Sequence, residues 1–208
     1  MRLPFNLFFL VFCLFYTVSA VSSQQISPSI NDETQATETP NITMLKPDAR
    51  GGKAYRLTYL VSAPIDVFWL FKTDFDNDFL ITNKYIHSHV FIKKEGPAVI
   101  TENTYSDNPK RVFRWRTLAF PKKHRLTFEL INPKESGQTF HYGYIQLKAS
   151  GSNTQVTQVA YFDFWGVSLW VKYPWQGGME DFLMNTARWE QQTVLKRRLH
   201  YSDRVRKK

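Results

Sequence analysis

Residues 53–71 read KAYRLTYLVSAPIDVFWLF and change their hydrophobic period within a few positions. Residues 53–62 are rich in Tyr, Leu and Val and are typical of a strand. Ala63-Pro64 ends this strand, because proline restricts the residue before it and favours the first turn of a helix. Phe68, Phe71 and Phe75 follow with the spacing of a buried helix face. The stretch therefore predicts one strand that turns directly into a short helix.

The middle of the chain predicts an antiparallel meander. A second short helical turn is expected at residues 78–83, and strands then recur between turn signals built from Gly, Pro, Asn and Ser. The six predicted strands are residues 85–93, 98–105, 111–119, 125–131, 139–148 and 154–165. Together with the first strand they make a predicted sheet of seven strands.

One long helix is predicted to close the domain. Residues 179–198 contain no Gly or Pro, and Met179, Leu183 and Ala187 lie on one apolar stripe. Glu190 lies on the same stripe and interrupts it. A carboxylate at such a position is either paired with an arginine of the sheet or has a raised pKa.

This order of elements resembles a known superfamily. The matching stretches are VSAPIDVF at residues 61–68, FRWR at 113–116, NTQVT at 153–157 and the terminal helix. They are similar to the START-like, or SRPBCC, superfamily, and in particular to its polyketide cyclase/dehydrase and lipid-transport branch. The resemblance implies an α+β helix-grip fold, in which a curved seven-stranded antiparallel sheet wraps around a long C-terminal helix, with two short helices after strand one. It implies a fold more firmly than an activity, because this scaffold hosts carriers and cyclases alike.

The first twenty residues are typical of a secretory signal. Arg2 precedes an apolar run over residues 3–16, and small residues follow at positions 18–20. We therefore predict a signal peptide over residues 1–20 and export to the bacterial periplasm. The alternative is a protein anchored by the same segment left uncleaved. The only cysteine, Cys13, lies within this segment.

The rest of the chain divides into three parts by composition. Residues 21–50 are polar and carry no hydrophobic period, so they are predicted to form a disordered linker. Residues 51–201 hold the predicted START-like domain, and residues 202–208 a basic tail.

Charge is concentrated at the C-terminal end. The 208 residues carry a formal charge of +9, and residues 196–208 alone hold seven basic residues and one acidic residue. Such an end can bind an anionic membrane surface. A merely solvated helix end is the alternative, and no nucleic-acid partner is expected.

The helix-grip arrangement predicts an apolar cavity between the sheet and the last helix. By strand alternation the apolar side chains should face that helix. The predicted ligand-binding residues are Phe113, Trp115, Phe128, Tyr142, Tyr144, Phe182, Trp189 and Glu190.

The same alternation puts four polar residues on the outer face of the sheet. Arg114, Arg116, Glu129 and His141 would then form ion pairs and a charged patch. The alternative reverses one or more strands, so that some of these residues point into the cavity and hold an anionic or hydroxylated head group.

These patterns favour binding over catalysis. The leading hypothesis is an exported protein that binds an apolar small molecule or lipid in an internal cavity. One alternative is a cyclase/dehydratase-type enzyme that uses Glu190, Arg116 and His141 as acid/base candidates. Another is a protein that contacts a membrane surface through its basic tail. Neither a metal nor a cofactor is expected.

Overall fold

A computed structural model describes residues 39–164 and 178–207 of the chain. The described elements are β1 Asn41–Leu45, β2 Lys53–Val61, α1 Ile65–Lys72, a 3₁₀ turn Leu80–Thr82, β3 Ile86–Glu95, β4 Ala98–Tyr105, β5 Asn108–Phe120, a 3₁₀ turn Pro121–Lys123, β6 Arg125–Leu130, β7 Gln138–Ser150, β8 Asn153–Phe164 and α2 Gly178–Arg206. The predicted signal peptide and most of the predicted linker lie outside the described residues.

The strands form one antiparallel sheet in the order β1-β2-β8-β7-β6-β5-β4-β3. The sheet is curved and open, and the long helix α2 accompanies it, so the predicted α+β helix-grip fold is confirmed. The β3–β4 and β7–β8 hairpins turn at Gly96 and Gly151, both with positive φ, which is the conformation that glycine adopts most easily. The predicted positions of the meander strands are confirmed to within a few residues.

The junction between β2 and α1 is the one that the opening stretch predicts. Pro64 precedes the first turn of α1, and the helix buries Val67, Phe68 and Phe71. Ala63 is buried as well, and its carbonyl oxygen accepts a hydrogen bond of 2.7 Å from Oγ1 of Thr154 in β8. The bend is therefore tied to the central part of the sheet.

The sheet has eight strands, one more than predicted. The additional strand, β1, lies inside residues 21–50, which were predicted to be a linker, and pairs with β2 from Asn41↔Thr58 to Leu45↔Ala54. Pairing at a sheet edge needs only backbone groups and no apolar period. Accordingly Met44 stays 65% exposed, and the local pattern gave no sign of the strand.

Helix α2 runs through Arg206, so most of the predicted basic tail at residues 202–208 is helical. Tyr201 explains the extension. Its ring is buried against Phe71, and its hydroxyl donates a hydrogen bond of 2.7 Å to Asp74. Arg204 lies 3.1 Å from the same carboxylate. This contact holds the last turns of α2 against the end of α1. No helix within the described residues is long and apolar enough to span a membrane.

Candidate functional site

A cavity of about 260 Å³ lies between the sheet and α2. Strands β4 to β8 supply one wall, residues 179–190 of α2 supply the opposite wall, and residues 71–89 contribute the rest. The lining residues on which the argument depends are Lys72, Trp115, Thr117, Phe128, His141, Phe182, Trp189 and Glu190.

Aromatic rings make up much of the wall. Trp115 and Phe128 meet edge to face on neighbouring strands, with ring centroids 5.9 Å apart. On the helical side Trp189 lies 6.3 Å from Phe79, and its indole N–H donates a hydrogen bond of 3.0 Å to Thr82. These contacts fix the rings in place, so the cavity is bounded by packed side chains.

Five of the eight predicted ligand-binding residues line the cavity: Trp115, Phe128, Phe182, Trp189 and Glu190. Phe113 points the same way but is fully buried against Tyr105, with centroids 4.7 Å apart. It supports the wall and does not line the space.

Tyr142 and Tyr144 lie on the outer face of the sheet, so the predicted orientation of β7 is wrong. Tyr142 stacks on Tyr161 at 5.3 Å and hydrogen-bonds to Asp48, and the guanidinium of Arg125 lies 3.9 Å from the ring of Tyr144. These partners let aromatic rings occupy the solvent side, which alternation of hydrophobicity does not anticipate.

The inner face of β7 carries His141, Gly143 and Ile145 instead. Gly143 is the residue that could have revealed this. A Cβ at this position would lie 2.0 Å from the carbonyl oxygen of Val159 and 2.7 Å from the ring of Phe128. A glycine within a strand often marks such a close approach, and the approach here is on the side of the cavity.

The arginines of the sheet point away from the cavity. Arg116 pairs with Glu129 at 2.7 Å, and Arg114 pairs with Glu102 at 2.5 Å; all four side chains are partly or largely exposed. Outer-face pairing is what alternation predicts for these arginines. Arg116 is therefore separated from the other two acid/base candidates, since Glu190 and His141 line the cavity.

His141 is a buried histidine in an apolar setting, not a member of the outer patch. Its side chain is 6% exposed, and its ring lies 4.9 Å from Trp115 and 5.5 Å from Phe162. Within the described part of the chain, its Nδ1 has no hydrogen-bond partner. Burial lowers the pKa of His141 to about 3, because a charged imidazolium would be poorly solvated here. The ring is neutral at physiological pH.

Glu190 is held by two groups from different elements. Nζ of Lys72, at the end of α1, lies 2.5 Å from Oε1, and the hydroxyl of Tyr59 in β2 donates a hydrogen bond to Oε2. Burial, and then the nearby Glu190 carboxylate, raise the pKa of Tyr59 well above its usual value. The predicted pairing of Glu190 is thus present, but its partner is a helical lysine and not an arginine of the sheet.

Lys72 and His89 are among the lining residues that were not predicted. Lys72 closes α1, and nothing in its local sequence distinguishes it from a solvated lysine. His89 in β3 contacts Asn103 at 2.7 Å and the carbonyl oxygen of Phe75 at 2.9 Å. The only sequence signal for a functional role of His89 was its place as the second of two histidines on one strand. In the structure its ring nitrogens contact the Asn103 side chain and the Phe75 backbone.

Comparison with known proteins supports the fold. No protein-family model and no curated protein matches the sequence. Among solved structures, a STAR-related lipid transfer protein from Xanthomonas axonopodis superposes with a TM-score of 0.56 at 11% identity, over 76% of this chain and 94% of that one. Norcoclaurine synthase from Thalictrum flavum superposes with a TM-score of 0.51 at 11% identity, over 76% of this chain and 89% of that one. A di-domain ARO/CYC protein of the steffimycin pathway superposes with a TM-score of 0.54 at 11% identity, over 69% of this chain and 51% of that one. The chain therefore has the helix-grip fold that these structures share.

Proposed function

We propose that the protein binds a compact apolar small molecule in the cavity between the sheet and α2. The aromatic lining of this cavity is the observation that carries the proposal. Ligand sites are typically concave and mostly apolar, with a few placed polar groups. A structural neighbour named as a lipid transfer protein has the same fold, which adds support.

The size of the cavity favours a small ligand over a long-chain lipid. Its volume of about 260 Å³ exceeds the ~150 Å³ of an engineered protein cavity that holds benzene. It lies just below the ~300–1,000 Å³ of pockets for drug-sized ligands. A molecule of one or two rings fits this range.

The arrangement of the acid/base candidates favours binding over cyclase or dehydratase chemistry. Arg116 lies outside the cavity, and both oxygens of Glu190 are occupied by Lys72 and Tyr59. A general acid or base must reach the proton that it transfers. Glu190 is better placed to hold α1, β2 and α2 together.

Filling the cavity tests the proposal. We expect Thr117→Trp to weaken binding of naphthalene at least tenfold, because Thr117 lines the cavity and the indole takes up its space. Thr127→Trp is the matched control, since Thr127 pairs with Leu118 on the neighbouring strand but is absent from the cavity wall. Calorimetric titration of both variants measures the effect. Equal affinity in the two variants would contradict the assignment.

We also propose that the protein is exported, on the basis of the charged, apolar and small-residue pattern of residues 1–20. Expression in a Gram-negative bacterium should give protein in the periplasmic fraction with an intact mass that lacks these residues. A membrane-bound product that retains them would support the anchored alternative. Full-length protein in the cytosol would contradict export.

We also propose that the end of α2 contacts an anionic membrane surface. Leu199 is 78% exposed, and Lys196 and Arg198, which precede it on α2, have no ion pair among the described residues. An exposed leucine beside cations is typical of interfacial helices. We expect Leu199→Glu to lower co-sedimentation with phosphatidylglycerol vesicles about tenfold, since it removes apolar contact and adds a repelled charge. Val112→Glu, on the outer sheet face, should leave co-sedimentation unchanged. An equal loss of co-sedimentation in both variants would contradict a membrane contact at the end of α2.

A further inference from the structure

His141 leaves a buried hydrogen-bonding group unsatisfied at the cavity wall. Burying a polar group without a partner costs free energy, and most buried polar groups in proteins are paired. The described residues offer the imidazole no hydrogen-bond partner, although the side chain is almost fully buried. A group of this kind at a cavity wall points to a partner that the ligand supplies.

The surroundings of His141 are apolar on the sheet side. Trp115 of β5 and Phe162 of β8 contact the imidazole, and the ring of Phe128 in β6 lies 6.2 Å away. The cavity bounds the imidazole as well, since His141 is one of its lining residues. A polar group of a bound molecule would therefore find His141 at the aromatic end of the wall.

The chemistry of the imidazole narrows the class of that polar group. A neutral imidazole has one nitrogen that donates and one that accepts, and a hydroxyl group can satisfy either. A carboxylate could accept a hydrogen bond from the N–H of the neutral imidazole, but its charge would be buried among aromatic rings, which costs much more free energy than burying a hydroxyl. The nearest lysine of the wall, Lys72, is already neutralised by Glu190 and attracts no second anion. The wall thus suits an uncharged hydroxyl.

We propose that the cavity binds an uncharged molecule of one or two rings that carries a hydroxyl group, and that this hydroxyl forms a hydrogen bond with the imidazole of His141. The proposal rests on the proposed function of the cavity. It adds the ligand class and the residue that selects it.

A matched pair of probes tests the proposal. We would titrate the purified protein and its His141→Phe variant with 2-naphthol and with naphthalene, which differ only in the hydroxyl. The ratio of the two affinities should shift about tenfold or more towards naphthalene in the variant, because the hydroxyl then enters the cavity without a partner. Tyr142→Phe removes a hydroxyl from the outer face of the same strand and should leave the ratio as in the wild type.

A second measurement needs no variant. In the wild-type protein the imidazole ¹⁵N chemical shifts of His141 should move on adding 2-naphthol and stay in place on adding naphthalene. An unchanged affinity ratio in His141→Phe, or unmoved imidazole ¹⁵N resonances of His141 with saturating 2-naphthol, would overturn the role of His141 while cavity binding stands. Failure of both probes to bind the wild type would overturn the proposed function together with it.

Discussion

Replacing Glu190 with alanine should lower the free energy of unfolding by about 3–5 kcal/mol, the range found when one partner of a buried ion pair is removed. The side chain of Lys72 is only 12% exposed, so its ammonium would remain buried without a counter-ion. Tyr59, fully enclosed, would lose its acceptor as well. Denaturant unfolding followed by circular dichroism measures the change.

Two comparisons separate the cost of breaking the buried ion pair from the other losses of stability in Glu190→Ala. A double variant, Lys72→Met with Glu190→Met, should recover most of the stability, because no unpaired charge remains buried. Glu129→Ala breaks the exposed pair with Arg116 and should cost less than about 1 kcal/mol. If Glu190→Ala costs no more than Glu129→Ala, Glu190 does not hold the three elements together.

Acidification should destabilise the protein through His141. Burial lowers its pKa from 6.5 to about 3, so between these values the unfolded chain takes up a proton that the folded protein does not. The contribution of His141 to the free energy of unfolding is therefore fully present above pH 6.5 and is lost as the pH falls. At about 1.4 kcal/mol per pH unit, the loss at pH 5 is about 2 kcal/mol.

Comparing how the unfolding free energies of the wild type and His141→Phe change with pH isolates this effect. Other titratable groups of the cavity wall, Asp74, His89 and Glu190, are present in both proteins and cancel in the comparison. Unfolding free energies measured at pH 7.5 and pH 5 should show a loss that is smaller by about 2 kcal/mol in the variant. The same loss in both proteins would mean that His141 is not buried in its neutral form.

Much of the fold is predictable because its signals are local. Pro64 marks the start of α1, and the Gly- and Asn-containing turns separate the strands of the meander. The two differences both depend on partners outside the segment concerned. Strand β1 forms because β2 offers an unpaired edge, and α2 extends because Tyr201 finds Asp74. Neither partner can be recognised from the segment itself.

The site was only partly predictable for the same reason. Alternation placed Trp115 and Phe128 correctly, because each is the aromatic residue on the less polar face of its strand. In β7 both faces carry aromatic or apolar groups, so hydrophobicity could not decide between His141 and Tyr142 for the inner face. The Lys72–Glu190 pair joins two helices that lie far apart in the sequence, and no spacing in the sequence relates them.

The ladder between β2 and β8 places the first and last long strands side by side near one edge of the sheet. Bringing two such distant segments together closes a very long loop, which makes assembly slow. A nascent chain that lacks residues 154–162 cannot complete this ladder, whatever the rest of it has formed. We therefore expect the domain to remain incompletely folded until residues 154–162 have been synthesised.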